Sequence, residues 1–172
     1  MLSESSRMHS AAEARFRVQA PNSTPRAIKV IALDAPGEAV VRRLAGIGWR
    51  HATFFTAASR GESAGRGDPS PALPAGALSD LAGQTKNVTD EVDTADLVVL
   101  VAGPGGQAQA ASLIGEACSR RHVTTTGFIV GVKSASERAL AKTLAQVRPW
   151  SLMVVIADSD DYIDDMMTAL RA

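Results

Sequence analysis

Ala95-Asp-Leu-Val-Val-Leu-Val-Ala-Gly-Pro-Gly-Gly106 is the stretch that decides how this chain reads. Its apolar residues, Leu97 to Ala102, run on without alternation, as in a strand covered on both faces, and such strands belong to parallel sheets. Gly103, Pro104, Gly105 and Gly106 then break the run, and the Ala-rich segment Gln107 to Arg121 reads as a helix with Leu113, Ile114 and Cys118 on one side. A buried strand, a glycine loop and a helix form one half of a strand–helix–strand unit.

Working outward, the same grammar repeats. Ala27 to Leu33 (AIKVIAL) is β-branched and bounded by Pro25 and Pro36, and reads as a strand. Gly37 to Gly46 follows as a helix carrying Val40, Val41 and Leu44, and His51 to Ala57 as a second strand. Leu78 to Leu81 reads as a short edge strand and Thr89 to Thr94 as a helical turn. After the central segment come a strand in His122–Val132, a helix over Ala135–Val147 and a strand over Ser151–Ala157. Ser134 and Glu137 have the spacing of a capping box for that helix. A last helix starts at Asp158 to Asp161 and carries Ile163, Met166, Met167 and Leu170. These elements predict an α/β fold: a doubly wound, mainly parallel, Rossmann-like sheet with helices on both faces. Ala27–Leu33, Asp96–Ala102, Thr125–Val132 and Ser151–Ala157 are its expected central strands.

The domain is expected over 26–172, preceded by a disordered arm over 1–25. Gly61, Gly65, Gly67 and Gly76 with Pro69, Pro71 and Pro74 predict a mobile loop over 59–76. Lys plus Arg equals Asp plus Glu at 18 each, and 4% of the residues are aromatic. Neither a basic surface nor a stacking platform for nucleic acid is implied. No apolar run approaches the roughly 20 residues that span a bilayer. The single cysteine cannot form an internal disulfide, and with no signal-peptide core the expected location is cytoplasmic.

Two loops carry the candidate chemistry. Asp34-Ala-Pro-Gly37 leads from the first strand into a helix, where free backbone N–H groups and the helix dipole favour an anion. It holds one glycine of the three in a dinucleotide fingerprint, and Asp34 would repel a phosphate. Gly103 to Gly106, with Gln107, sits at the carboxyl end of the strongest strand, where ligands of open α/β sheets bind. A tight strand-to-helix turn explains the same glycines, and both readings stay open.

Ala95 to Ser112, ADLVVLVAGPGGQAQAAS, resembles the signature loop of FtsZ, the bacterial homologue of tubulin, whose pattern there ends in GGGTGTG. The order of helix, strand, helix, strand and polar Asp-containing turn down to Asp161 is similar too. The resemblance covers Ala27 to Asp161 and implies the three-layer sandwich of the FtsZ/tubulin superfamily. It also implies a nucleotide site for GTP or GDP lined by Asp34, Gly37, Gly103, Pro104, Gly105, Gly106 and Gln107, and self-association or another protein partner. The departures are specific. Only Gly105 and Gly106 remain of the glycine run, and Gln107, Ala108, Gln109 and Ala110 follow them. The given sequence stops before the family's central helix and acidic loop. The expectation is a nucleotide-binding or pseudo-nucleotide-binding domain without efficient GTP hydrolysis and without catalytic residues of its own. The alternative is a doubly wound enzyme with a nucleotide or dinucleotide cofactor at the same loops.

Three other patterns point elsewhere. Gly61-Glu-Ser-Ala-Gly65 matches a hydrolase nucleophile turn, but the glycines and prolines after it forbid the helix that the chemistry needs. Asp158, Asp160, Asp161, Asp164 and Asp165 lack the spacing of a calcium loop and read as helix-end acids. His9, His51 and His122 have no metal spacing, and Cys118 reads as core.

Overall fold

A computed structural model describes residues 25–57, 76–158, 161–170 and 172. All of the expected arm over 1–25 except Pro25, nearly all of the loop over 59–76 and the Gly61–Gly65 pentapeptide lie outside the described residues. The fold is α/β, a seven-stranded, mostly parallel sheet between two layers of helices, as in a Rossmann-like three-layer sandwich. Strands β1 (Ile28–Ala32), β2 (Ala52–Ala57), β3 (Ala77–Asp80), β4 (Thr85–Asn87), β5 (Leu97–Ala102), β6 (Thr124–Val130) and β7 (Met153–Ala157) lie in the order β4-β3-β2-β1-β5-β6-β7. The five strands β1, β2, β5, β6 and β7 are parallel, and β3 and β4 run antiparallel at one side.

Helices α1 (Ala35–Ala45), α2 (Val88–Asp93), α3 (Ala110–Arg121), α4 (Glu137–Val147) and α5 (Asp161–Ala169) connect or follow the strands. β1 and β5 are buried along their whole length and supply both cores by alternation. On one face Ile31, Val98 and Leu100 meet Val92 of α2, Ile114 and Cys118 of α3 and Val147 of α4. On the other, Val30, Val99 and Val101 meet Val41 and Leu44 of α1 and Ile163 and Met167 of α5. Arg43 of α1 grips Asp164 of α5 through two hydrogen bonds of 2.8 and 2.9 Å, which ties the helices of that layer together.

Four expectations change. β3 is not an edge strand, because β4, a polar three-residue strand, adds outside it. β7 is parallel but lies at the sheet margin rather than in its centre. The cap of α4 is Ser136, whose Oγ accepts from Ala139 N at 3.2 Å, while Val132–Ser134 forms a separate 3-10 turn. Finally, α3 buries Ala111, Ile114, Gly115 and Cys118, whereas Leu113 is exposed.

Among the described residues, no helix is long and apolar enough to cross a membrane.

Candidate functional site

Chain order creates a crevice at the carboxyl ends of β1 and β5. From β1 the chain moves through α1 to β2 on one side; it later returns as β5 on the other. Such a switch point is where open α/β sheets bind ligands. All the sequence-predicted residues gather here: Asp34 and Gly37 follow β1, and Gly103, Pro104, Gly105, Gly106 and Gln107 follow β5.

Asp34 holds the two loops together. It is the N-cap of α1, and its Oδ1 accepts from Gly37 N at 2.9 Å. Both its oxygens also face Gly103 N, at 3.0 and 2.9 Å. The side chain is buried, with the residue 6% exposed. Backbone N–H groups at a helix start and a glycine loop are the donors that a crevice of this kind offers to an anion. Here the protein's own carboxylate takes them. The expectation that Asp34 would repel a phosphate therefore acquires a different geometry: Asp34 stands among the donors rather than beside them.

The glycines fit this arrangement. A Cβ on Gly106 would fall onto Asp34 Oδ2, and one on Gly37 onto the carbonyl oxygen of Val101. A Cβ on Gly103 would come within 2.6 Å of the Pro36 ring. Close approach between the loops thus accounts for the three glycines. Gly105 differs in having φ +79°, a left-handed conformation that suits glycine.

Helix α4 closes the loop from the other face. Thr143, fully buried, donates from Oγ1 to Gly103 O at 3.0 Å and accepts from Gly105 N at 2.9 Å. Gly105 N also reaches Ala139 O at 3.0 Å, and Lys142 Nζ donates to Gly105 O at 3.1 Å. Gln146 Oε1 accepts from Ala108 N at 2.7 Å. Thr143 and Gln146 were not singled out in the sequence. The available signal was a threonine four residues before Val147 on the buried stripe of α4. Gln107 and Gln109 are exposed and Ala108 is core, so these side chains do not close the crevice; Asp34 does.

The remaining candidates separate from this site. Asp164 is engaged with Arg43, and among the described residues no group of three or more His, Cys, Asp or Glu is placed to hold a metal ion. Cys118 is buried at the other side of α3's helical layer from solvent; burial pushes its thiol pKa up, against a smaller lowering by its hydrogen bond with Thr125. The chain matches no protein-family model and no curated protein.

Proposed function

We propose that this chain is an FtsZ/tubulin-like domain that has become a pseudo-nucleotide-binding module, without efficient GTP hydrolysis, working through protein contacts. One observation carries the reading: the Asp34 carboxylate sits on the amides of Gly37 and Gly103 at the sheet's switch point. A triphosphate entering this crevice must displace a buried carboxylate and take over its hydrogen bonds. Each hydrogen bond to a charged group contributes about 1.5–3 kcal/mol, so displacement is costly. Gly105 and Ala108, which would otherwise offer further amides, already donate to Thr143, Ala139 and Gln146. The parallel strand order and the loop after β5 support the family resemblance, and the filled crevice supports loss of the nucleotide.

Titration calorimetry with GTP, GDP, ATP and NAD at fixed Mg²⁺ tests this. The expected result is no binding in the micromolar range for the unmodified chain. The variant Asp34→Gly should gain affinity for guanine nucleotide. Submicromolar GTP binding by the unmodified chain would overturn the reading and favour a nucleotide-using enzyme.

A further inference from the structure

The two margins of the sheet are built differently. β4 closes one with Thr85-Lys-Asn87, short and polar, which is how proteins commonly protect a sheet edge. β7 closes the other with Met153-Val-Val-Ile-Ala157, which carries no charge and no proline. Among the described residues it pairs only with β6. Leu152 is 84% exposed, Met153 52% and Ile156 48%. Leu144 of α4 lines a groove with Leu152, Val154 and Ile156, so the apolar surface extends beyond the strand.

We propose that the β7 edge pairs antiparallel with the β7 edge of a second copy, about a two-fold axis at Val155, to make a sheet continuous through the dimer. Backbone direction allows this register, and an axis at Val155 centres the pairing on the five-residue strand. Leu152 N donates to Thr125 O of the β6 side at 2.8 Å, so by strand alternation the N–H groups of Val154 and Ile156 also point to β6. Those of Met153, Val155 and Ala157 point outward. A two-fold axis at Val155 sets Val155 opposite its copy and Met153 opposite the copy's Ala157. All of these outward residues then form hydrogen-bonded antiparallel pairs. The side chains agree with the backbone: Val154 of each chain faces Ile156 of the other on the α4 side.

Charge selects the second copy and the antiparallel sense. Arg148 is exposed at the start of the edge and has no acidic partner among the described residues, while Asp158, directly after Ala157, is exposed at its other end. The antiparallel two-fold brings each Arg148 toward the acidic end of the other chain. Parallel pairing would bring like ends together. The contact is isologous, so assembly stops at two. A strand this short covers less than the about 800 Å² per partner of a standard interface, so the groove at Leu144 and the exposed Tyr162 of α5 must contribute. The inference gives the protein contacts of the proposed function a location. It does not rest on the state of the Asp34 crevice, and its failure would leave the calorimetric result standing.

Sedimentation velocity of the full chain over a concentration series is the first test, and the expected result is a monomer–dimer equilibrium with no larger species. Ile156→Lys keeps an aliphatic stem on a half-exposed site and should shift the equilibrium to monomer with an unchanged circular dichroism spectrum. Val155→Cys provides an independent reading. Directly opposed residues of a hydrogen-bonded pair have Cα atoms about 5.5 Å apart, within disulfide reach. Mild oxidation should give a covalent dimer, and Leu152→Cys, far from its own copy in this register, should not. Cys118 does not confuse the result, because it is buried. A monomer at every concentration with no Val155→Cys cross-link overturns the proposal. So does cross-linking through Leu152→Cys in preference to Val155→Cys, or open-ended association.

Discussion

At the scale of single residues, Asp34 does the work that the loops suggested for a ligand. Removing it by Asp34→Ala leaves the amides of Gly37 and Gly103 without a buried acceptor and strips α1 of its cap. The expected cost is about 2–4 kcal/mol in urea unfolding. Inorganic phosphate should recover part of that loss in the variant while leaving the unmodified chain unaffected, since only the variant has donors to offer. Gly106→Ala adds a methyl against Asp34 Oδ2, which cannot retreat without breaking its bonds to Gly103. Alone it should cost about 1–3 kcal/mol. In the Asp34→Ala background most of this penalty should vanish, a coupling that a double-mutant cycle reads directly. Additive losses would mean that Gly106 is required for some reason other than Asp34.

At the scale of elements, what was legible depended on apolar pattern. The continuous run at Leu97–Ala102 announced a strand buried on both faces, and it is; Ile28–Ala32, read as a strand from its β-branched residues despite Lys29, is buried as well. β4 was missed because Thr85-Lys-Asn87 has no apolar signal; it exists through its register with Ala77, Leu78 and Ser79 of β3. Position within the sheet was equally invisible. MVVIA of β7 reads much like the central strands, yet only the topology makes it marginal. The candidate residues lie around one crevice because each follows a parallel strand. That Asp34 reaches Gly103, 69 residues away, is tertiary information that no local pattern carries. The start of α4 shows the same limit on a smaller scale, because the spacing of Ser134 and Glu137 pointed to Ser134 as the cap. The structure assigns the role to Ser136, so Ser136→Ala should destabilise by about 1 kcal/mol and Ser134→Ala by a few tenths. Chemical denaturation of the two variants compares them, and the reverse order would contradict the observed helix start.

At the scale of the whole molecule, stability should be graded outward from β5. All six of its residues are 4% exposed or less, and it is hydrogen-bonded to β1 on one side and β6 on the other. Its amides can exchange with solvent only when the sheet opens, so native-state hydrogen exchange should place β1, β5 and β6 among the slowest amides, near the global unfolding limit. β3 and β4 should open locally and exchange faster, because β4 is short and its residues are half-buried at most. β7 gives a sharper reading than either group. Val154 and Ile156 direct their amides to β6 and should be protected in the monomer. Met153, Val155 and Ala157 direct theirs outward and should exchange freely in dilute protein. Raising the concentration should slow these alternate amides selectively, by the fraction of chains paired through the edge. Protection of all five β7 amides at high dilution would mean that the edge is already covered within one chain. Slow exchange confined to Val154 and Ile156 at every concentration would mean that the edge stays open.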